Sequence, residues 1–317
     1  MKAFFKHCID VKEEDGWYVP NRMTEKQYQS YSRREPMWNR ARNNAGTAIA
    51  FRSAATKVTF TYKITENARD YAYWDVLVDG VLVKSENLCK EEEQVVLEIP
   101  GSGERNVEIY MPHLARVCIK DLTADAEMQP LPDKEKFWLF LGDSITQGMA
   151  SLHPSQTYAV VAANLMDCDF INMGVCGGKF FAGDVDADHR KPDVITIALG
   201  TNDWKQAGDR EVLRETARDY IAEVVKQYPG HILHAILPIW RSDIDGVLSG
   251  MTFEEMCNVL REEYSKYPQI RILEGLKMVP NMKEYFGDQF AHPNELGFAH
   301  FALNLCNVPE IRKALEA

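Results

Sequence analysis

Short apolar segments alternate with longer amphipathic segments in the second half of the chain, and this alternation constrains the fold more than any other feature. The apolar segments predict strands at 137–141, 170–173, 194–199, 232–237 and 270–273. The amphipathic segments predict helices at about 157–166, 209–228, 252–267 and 295–306, and Thr252 with Glu255 forms a capping box at the start of the third. Strands that alternate with helices form a mostly parallel sheet with helices on both faces, so we expect an α/β domain.

The first part of the chain has a different pattern, in which strands follow one another without a long helix between them. Alternating polar and apolar residues predict strands at 47–52, 57–63, 73–78 and 106–110. Asp79-Gly80 predicts a type I′ hairpin turn, because both central positions of that turn need positive φ angles. We therefore predict a small β-sandwich over 1–130, a linker at 128–136 that contains two prolines, and an α/β domain over 131–317.

The composition indicates which kinds of binding partner and which cellular location to expect. With 36 basic and 47 acidic side chains among 317 residues, the chain carries a net charge of -11, which would repel nucleic acid and anionic membrane surfaces. No apolar run is long enough for a signal-peptide core or a membrane span. Seven scattered cysteines without paired spacing predict reduced thiols and a cytoplasmic location, or a secreted protein if a leader was removed.

The turn Gly142-Asp143-Ser144 directly follows the first predicted strand of the α/β domain. The carboxyl ends of parallel strands form the edge at which open α/β sheets bind their ligands. On its own, however, such a tripeptide is more typical of a turn or a helix cap than of a catalytic group. Further glycine-rich or polar segments follow the second and third strands, and a fourth precedes the last helix.

These four segments together resemble the sequence blocks of the SGNH, or GDSL-type, hydrolase superfamily of esterases and lipases, and they occur in that family's order. They are Gly142-Asp-Ser-Ile-Thr-Gln-Gly148, Asn172-Met-Gly-Val-Cys-Gly-Gly178, Gly200-Thr-Asn-Asp203 and His292-Pro-Asn294. The resemblance covers about 137–306 and implies a flavodoxin-like, three-layer α/β/α domain with a five-stranded sheet. Over 1–130 there is a looser similarity to carbohydrate esterases that carry a jelly-roll-like β-sandwich ahead of this domain.

The resemblance implies that Ser144 is the nucleophile and His292 its general base. A serine hydroxyl is a poor nucleophile at neutral pH, so an imidazole must accept its proton and later return it to the leaving alcohol. The implied oxyanion hole consists of the backbone amides of Ser144 and Gly174 and the side-chain amide of Asn202. Without the family, His292 would be a helix-start residue beside Pro293, and Asn202 would form a local turn.

One position departs from the family's pattern. The family usually has an acid three residues before the catalytic histidine, but Gln289 occupies that position here, and the nearest carboxylate, Asp288, lies four residues before. Either a one-residue bulge brings Asp288 to the imidazole Nδ1, or Gln289 or a backbone carbonyl orients the ring of a Ser–His dyad. We favour Asp288 as the third catalytic residue, since the orienting group stabilises the imidazolium of the transition state.

Trp204 and Trp240 follow strand ends at the edge that carries Ser144, and they are candidate residues for stacking on a substrate. The alternative is that both are ordinary packing residues. Arg241 is equally well explained as a substrate-binding residue or as a surface charge. A cluster of arginines near Trp38 either contacts an anionic substrate group or forms ion pairs: Arg33, Arg34, Arg40 and Arg42. Asp184, Asp186 and Asp188 have the spacing that opens a calcium loop, but its later positions do not fit. We expect no metal and no cofactor.

The sequence therefore predicts a serine esterase that hydrolyses short acyl esters, most of all acetyl esters, of a small molecule or an oligosaccharide. Alternatives are a lipase, lysophospholipase or acyltransferase acting on longer chains, or a catalytically weak carbohydrate-binding protein. Nucleic acid and membranes are not expected partners. The residues leave the particular sugar, the acyl chain length and the oligomeric state open, because a fold by itself does not define a substrate.

Overall fold

Two antiparallel sheets form the first part of the molecule in a computed structural model that describes residues 1–316. One sheet has the strand order β1-β4-β9-β6-β7, with β11 also paired to β4, and the other has the order β2-β3-β10-β5-β8. The strands are β1 (Phe5–Lys6), β2 (Asp10–Glu14), β3 (Trp17–Asn21), β4 (Ala48–Ser53), β5 (Lys57–Asn67), β6 (Tyr73–Val78), β7 (Val81–Asn87), β8 (Glu92–Glu98), β9 (Arg105–Tyr110), β10 (Ala115–Ala124) and β11 (Gln129–Pro130).

These sheets face each other across an apolar core, which confirms the predicted sandwich. Phe51 and Ile109 from one sheet pack with Phe60 and Val117 from the other, and all four are fully buried. The alternation of polar and apolar residues is explained by this packing, since successive side chains point to opposite faces of a strand. The turn between β6 and β7 is also as predicted, with φ angles of 47° at Asp79 and 80° at Gly80.

A parallel five-stranded sheet with the order β13-β12-β14-β15-β18 forms the second part of the molecule. Its strands are β12 (Phe137–Gly142), β13 (Asp169–Gly174), β14 (Val194–Ala198), β15 (Leu233–Ile236) and β18 (Ile270–Leu273), and β16 (Val247–Leu248) pairs separately with β17 (Met251–Thr252). The helices of this part are α3 (Ser144–Gln147), α4 (Tyr158–Leu165), α5 (Thr201–Gln206), α6 (Arg210–Gln227), α7 (Phe253–Ser265), α8 (Glu295–Cys306) and α9 (Pro309–Glu316). This order is that of flavodoxin-like folds, as expected.

Helices cover both faces of the parallel sheet. Leu213 of α6 and Leu260 of α7 belong to the core on one face, whereas Tyr158 of α4 and Phe301 of α8 belong to the core on the other. The four predicted helices match α4, α6, α7 and α8 to within two residues at each end, and the capping box of Thr252 and Glu255 is present. No helix within residues 1–316 is long and apolar enough to cross a membrane.

The register of the sheet brings three strand ends together. Gly142 at the end of β12 pairs with Gly174 of β13 on one side and with Ala198 of β14 on the other. All three strands run in the same direction, so the segments that follow them begin side by side. Those segments carry three of the four family-like blocks.

Two helices near the start of the chain were not predicted: α1 (Glu25–Tyr31) and α2 (Met37–Ala41). They do not pack within the sandwich. Tyr28, Tyr31 and Ala41 belong to the same apolar cluster as Leu139 of the parallel sheet. The two parts of the molecule therefore share a core, and the domain boundary at residue 130 stays a prediction based on the order of elements along the chain.

Candidate active site

Ser144 lies at the first position of α3, directly after the carboxyl end of β12. The Asp143 carboxylate caps this helix by accepting a hydrogen bond from the Ile145 amide at 2.9 Å, and burial raises the pKa of Asp143 to about 6. A Cβ at position 142 would lie 2.0 Å from Thr146 Oγ1, so the tight strand-to-helix turn requires Gly142. The turn holds Ser144, which is 4% exposed, at the edge of the sheet.

His292 lies in the loop before α8, and contacts within the loop fix its backbone. The His292 carbonyl accepts a hydrogen bond from the Gly287 amide at 2.9 Å, and Phe286 pairs with Pro293 in an isolated β-bridge. Asn294 then caps α8, accepting from the Gly297 amide at 2.9 Å. The histidine is thus next to a helix start, but Asn294 rather than His292 is the cap.

A continuous hydrogen-bonded chain connects the predicted catalytic side chains. Ser144 Oγ lies 2.8 Å from His292 Nε2, and His292 Nδ1 lies 2.6 Å from Asp288 Oδ2. With the carboxylate accepting the Nδ1 proton, Nε2 is left as the acceptor for the serine proton. This is the arrangement that converts a serine hydroxyl into a nucleophile.

The Asp288 carboxylate is held by the same loop that carries the histidine. Its Oδ1 atom accepts hydrogen bonds from the backbone amides of Phe290, Ala291 and His292 at 2.9, 2.9 and 3.1 Å. Partial burial by itself would raise the pKa of Asp288, but the hydrogen bonds from the His292 ring and these amides outweigh burial and lower the pKa well below its usual value. The carboxylate therefore stays ionised throughout the pH range in which histidines ordinarily titrate.

The unusual spacing of the acid is accommodated by one residue. Gln289 has a φ angle of 54°, in the left-handed region, so the chain makes an extra turn between Asp288 and His292. Of the two explanations left open by the sequence, the structure has the first: the Asp288 carboxylate, rather than Gln289, contacts the imidazole.

The predicted oxyanion role of Gly174 is wrong. Its amide is buried and donates to Asn172 Oδ1 at 2.9 Å, so it has no hydrogen left for a substrate. Asn172 also donates from Nδ2 to the Thr146 carbonyl at 2.6 Å and ties β13 to α3. Glycine is needed at 174 for a different reason, since a Cβ there would lie 2.4 Å from the Gln147 nitrogen.

Gly177 offers the donor that Gly174 lacks. It has a φ angle of 81°, and within residues 1–316 its amide has no hydrogen-bond acceptor. The following residue, Gly178, packs against the nucleophile turn, since a Cβ there would lie 3.4 Å from the Cα of Asp143. Asn202 Nδ2 donates to the Gly178 carbonyl at 3.0 Å, which leaves its second amide hydrogen available. The candidate oxyanion donors are therefore the amides of Ser144 and Gly177 and the side chain of Asn202.

Replacing Asn202 with alanine is expected to lower kcat about 100- to 1,000-fold with little change in KM, because an oxyanion donor acts mainly in the transition state. Steady-state kinetics with p-nitrophenyl acetate would measure both constants. Asn258→Ala, at an exposed asparagine of α7, is the matched control and should match the wild type. A variant at 202 with unchanged kcat would remove this side chain from the oxyanion hole.

The structure places the two predicted substrate-stacking residues, Trp204 and Trp240, in different surroundings. Trp204 is fully buried beside Phe253, with its indole nitrogen donating to the Met251 carbonyl at 2.9 Å, so its predicted stacking on substrate is wrong. A bulky aromatic on α5 serves packing because that side of the helix faces the core. Trp240 is half-buried and packs on Phe286, with ring centres 4.8 Å apart, and its substrate role stays a prediction.

Arg241 is not a surface charge. It is 4% exposed, pairs with Asp243 through two hydrogen bonds of 2.7 and 2.9 Å, and donates to the Thr201 carbonyl at 2.8 Å. Since Thr201 is the residue before Asn202, this arginine fixes the start of α5. It positions a candidate oxyanion donor rather than binding substrate.

A second buried arginine, Arg22, supports the loop that carries Gly177 from the other side. Its guanidinium donates to the carbonyls of Asn172 and Gly174 at 2.8 Å each, and also to those of Asn43 at 2.6 Å and Arg40 at 3.0 Å. The side chain is 1% exposed, and burial lowers its pKa to about 10. Four carbonyls therefore take the place of a carboxylate partner. Sequence patterns gave no signal for this contact between the two parts of the chain.

Ion pairing accounts for much of the arginine cluster near Trp38. Arg34 pairs with Asp184, and Arg42 pairs with Glu66 while its guanidinium lies 4.1 Å from the centre of the Trp38 ring. Asp184 is thus engaged by an arginine. In the described part of the chain, no group of three or more metal-ligating side chains is placed to hold an ion.

A second Ser/His/Asp cluster lies between the sandwich and the α/β part. Ser85 Oγ donates to Asp75 Oδ1 at 2.6 Å and lies 3.0 Å from His153 Nδ1, and Asp75 also accepts from the amide and hydroxyl of Ser155 at 3.0 and 2.7 Å. The same ring nitrogen, His153 Nδ1, faces both Ser85 and Asp75 Oδ1, which lies 3.3 Å away, so the aspartate cannot hold one ring nitrogen while the other activates the serine. This cluster fixes the loop after α3 and is not a second nucleophile.

Fold and site together define a serine-dependent acyl hydrolase, with a nucleophile turn at the carboxyl edge of a parallel sheet and a His–Asp pair on a later loop. The model of the GDSL-like Lipase/Acylhydrolase family matches residues 140–300, half of the chain. The protein belongs to this family. No curated protein matches the sequence.

Solved structures share the fold over nearly the whole chain. A salicylyl-acyltransferase from a tetracycline biosynthetic pathway has a TM-score of 0.80 at 18% identity, with 97% of this chain and 96% of that one covered. A protein described as a GDSL-like lipase from Bacteroides ovatus has a TM-score of 0.78 at 17% identity, with 100% and 97% covered. A family two carbohydrate esterase from Cellvibrio japonicus has a TM-score of 0.69 at 17% identity, with 99% and 96% covered. At these identities the matches establish the shared two-part architecture.

Proposed function

We propose that this acylhydrolase is a serine esterase that removes short acyl groups, most of all acetyl, from a carbohydrate or a similar polyol. The observation that carries the proposal is the Ser144–His292–Asp288 chain of hydrogen bonds, with contacts of 2.8 and 2.6 Å, next to unpaired amide donors. The chain needs no further group to generate a nucleophile at neutral pH.

In the first half of the reaction, Ser144 Oγ attacks the ester carbonyl while its proton moves to His292 Nε2. Negative charge develops on the carbonyl oxygen and is stabilised by the Ser144 and Gly177 amides and the Asn202 side chain. The imidazolium that forms is stabilised by Asp288. The C–O bond to the alcohol then breaks, and the alcohol leaves with the proton from His292, which yields an acyl-enzyme.

In the second half, water takes the place of the alcohol. His292 accepts a proton from the water as it attacks the acyl carbonyl, and the same donors stabilise the second tetrahedral intermediate. Breaking the bond to Ser144 returns the proton to Oγ and releases the carboxylic acid. The net reaction is ester plus water to alcohol plus acid.

Two observations support a short acyl group on a polar alcohol. The likeness to a carbohydrate esterase extends across both parts of the chain, including the sandwich. The cleft of about 450 Å³ that borders Gly177 carries Arg40 and Lys179, which can bind polar groups of an alcohol, beside apolar residues such as Met37 and Phe181. An acyltransferase is the second candidate, because the fold is also like that of a salicylyl-acyltransferase.

The proposal is tested by comparing the hydrolysis of acetyl, butyryl and octanoyl p-nitrophenyl esters, with and without a sugar alcohol as acyl acceptor. We expect the highest kcat/KM for the acetyl ester and acetate as the main product. Preference for octanoyl would indicate a lipase, and acylated sugar as the main product would indicate a transferase. No turnover of any ester, together with retained sugar affinity, would indicate a binding protein.

A further inference from the structure

A cleft of about 450 Å³ borders Gly177, one of the candidate oxyanion donors, and its volume is typical of small-molecule sites. Gly177 lines it, and so does Asp203, the residue directly after Asn202. Its opposite wall comes from the segment around α2, with Arg34 and Met37. The cleft is therefore enclosed only because the first part of the chain packs against the second.

Basic side chains face this cleft although the whole chain carries a net charge of -11. Arg40 donates to the Cys176 carbonyl at 2.9 Å, which places its guanidinium beside Gly177. Lys179 is exposed, two residues after Gly177. In the described part of the chain, neither has a carboxylate partner, whereas Arg34 is paired with Asp184.

The acidic side chains that line the cleft do not cancel this charge. Glu35 is exposed, as Lys179 is, so water screens both of these charges. Asp203 is 3% exposed and accepts a hydrogen bond from the Phe180 amide at 3.1 Å. Burial raises the pKa of Asp203 to about 7, so the carboxyl is partly neutral at physiological pH. Arg40 and Lys179 therefore leave the cleft with a small net positive charge next to Gly177.

The cleft also has an apolar surface of a kind that suits a ring. Phe181 is 46% exposed, and the Arg34 guanidinium lies 4.2 Å from the centre of its ring. The guanidinium covers one face of the phenyl ring, which lines the cleft. A pyranose can pack the apolar face formed by its C–H groups on an aromatic ring, while a charged substituent reaches the two cations.

We propose that this cleft selects substrates whose alcohol part carries an anionic oxygen group, and specifically the carboxylate of an acidic sugar, through Arg40 and Lys179. This inference rests on the proposed esterase function and adds the substrate class. A carboxylate on the sugar ring would meet two cations that have no salt-bridge partner among the described residues, so it could form charge-assisted hydrogen bonds with them. It would also match the positive charge of the cleft.

The test compares three acetylated pyranosides that share one ring: methyl glucuronoside, methyl glucoside and methyl glucoside phosphate. Acetate release at low ionic strength gives kcat/KM for each. We expect the glucuronoside to be preferred about tenfold over the neutral glucoside, mostly through KM, and added salt to reduce this preference. A larger preference for the phosphate would assign the cleft to phosphorylated sugars and overturn the choice of carboxylate.

Lys179→Gln removes one cation from the exposed rim and is expected to reduce the preference for the glucuronoside about threefold. Lys205→Gln is the matched control, since Lys205 is an exposed lysine of α5 that does not line the cleft. It should keep the wild-type preference. Lys179→Glu should reduce the preference further than Lys179→Gln.

The outcomes separate this inference from the proposed function. Equal hydrolysis of the acidic and neutral esters by the wild type would overturn the anionic substrate class while leaving the esterase intact. If both Lys179 variants keep the wild-type preference for the glucuronoside, the assignment of that preference to this cleft would be overturned, and the esterase would again be unaffected. Failure to hydrolyse any of the three esters, or the acetyl p-nitrophenyl ester, would overturn the esterase itself.

Discussion

Replacing Ser144 with alanine is expected to lower kcat for acetyl esters about a million-fold, the largest effect of any single change in this protein. The hydroxyl oxygen forms the covalent bond of the acyl-enzyme, and among residues 1–316 no other hydroxyl or thiol is hydrogen-bonded to the His292 ring. The variant should fold normally, because only one buried hydroxyl is lost and the Asp143 cap of α3 remains. Kinetics with p-nitrophenyl acetate and labelling with a fluorophosphonate probe would measure the loss.

Ser85→Ala is the matched control for this variant. Ser85 also lies beside a histidine and an aspartate, at 3.0 and 2.6 Å, so it tests whether proximity alone makes a reactive serine. It should retain wild-type activity and probe labelling. Labelling of any serine other than Ser144 in the wild type, or full activity in Ser144→Ala, would refute the assignment of the nucleophile.

Changing Asp288 to asparagine is expected to lower kcat about 10,000-fold while preserving the loop. The carbonyl oxygen of the new side chain could still accept from the amides of Phe290, Ala291 and His292, as Asp288 Oδ1 does now. Its NH2 group, however, would face His292 Nδ1 and force that nitrogen to act as an acceptor. The proton would then reside on Nε2, which could no longer accept the serine proton. Steady-state kinetics and a thermal melt would separate lost activity from lost structure.

Gln289→Asn serves as the control for the acid, because asparagine tolerates the left-handed conformation that residue 289 adopts, with its φ of 54°. If Asp288 orients the ring, this variant should stay active. A loss in Gln289→Asn as large as that in Asp288→Asn would instead favour the dyad. The wild-type pH profile should show no loss of the Asp288 charge between pH 5 and 8, since hydrogen bonds keep the pKa of that carboxyl well below its usual value.

Much of the architecture was predictable because the spacing of apolar residues along the chain reflects which side chains are buried. The five strands of the parallel sheet, the sandwich strands β4, β5, β6 and β9, the helices α4, α6, α7 and α8, and the hairpin at Asp79-Gly80 follow from patterns of period 2 or 3.6. The short helix α1 was missed, although Thr24 and Gln27 have the spacing of a capping box and form one in the structure. Its seven residues give too short a pattern to identify alone.

The site was predictable in its side chains and less so in its backbone groups. Ser144, His292 and Asn202 follow from their sequence blocks. Which glycine offers a free amide depends instead on the hydrogen bond between the Gly174 amide and the Asn172 side chain, which residue spacing does not reveal. Likewise, Asp288 reaches the imidazole only through the φ angle of Gln289, which the sequence leaves undetermined. Burial of Trp204 depends on the side of α5 that faces the core.

The guanidinium of Arg22 has a consequence for protein engineering. Arg22 directly follows β3, and its guanidinium binds the carbonyls of Asn172 and Gly174. The rigidity of the loop that carries Gly177 therefore depends on a residue that is distant in the sequence. A chimera that grafts a foreign sandwich onto residues 131–317 would leave the buried carbonyls of Asn172 and Gly174 without the cation that they share. Designers who recombine such enzymes should transplant 22–44 together with the catalytic half, and treat that stretch as part of its scaffold.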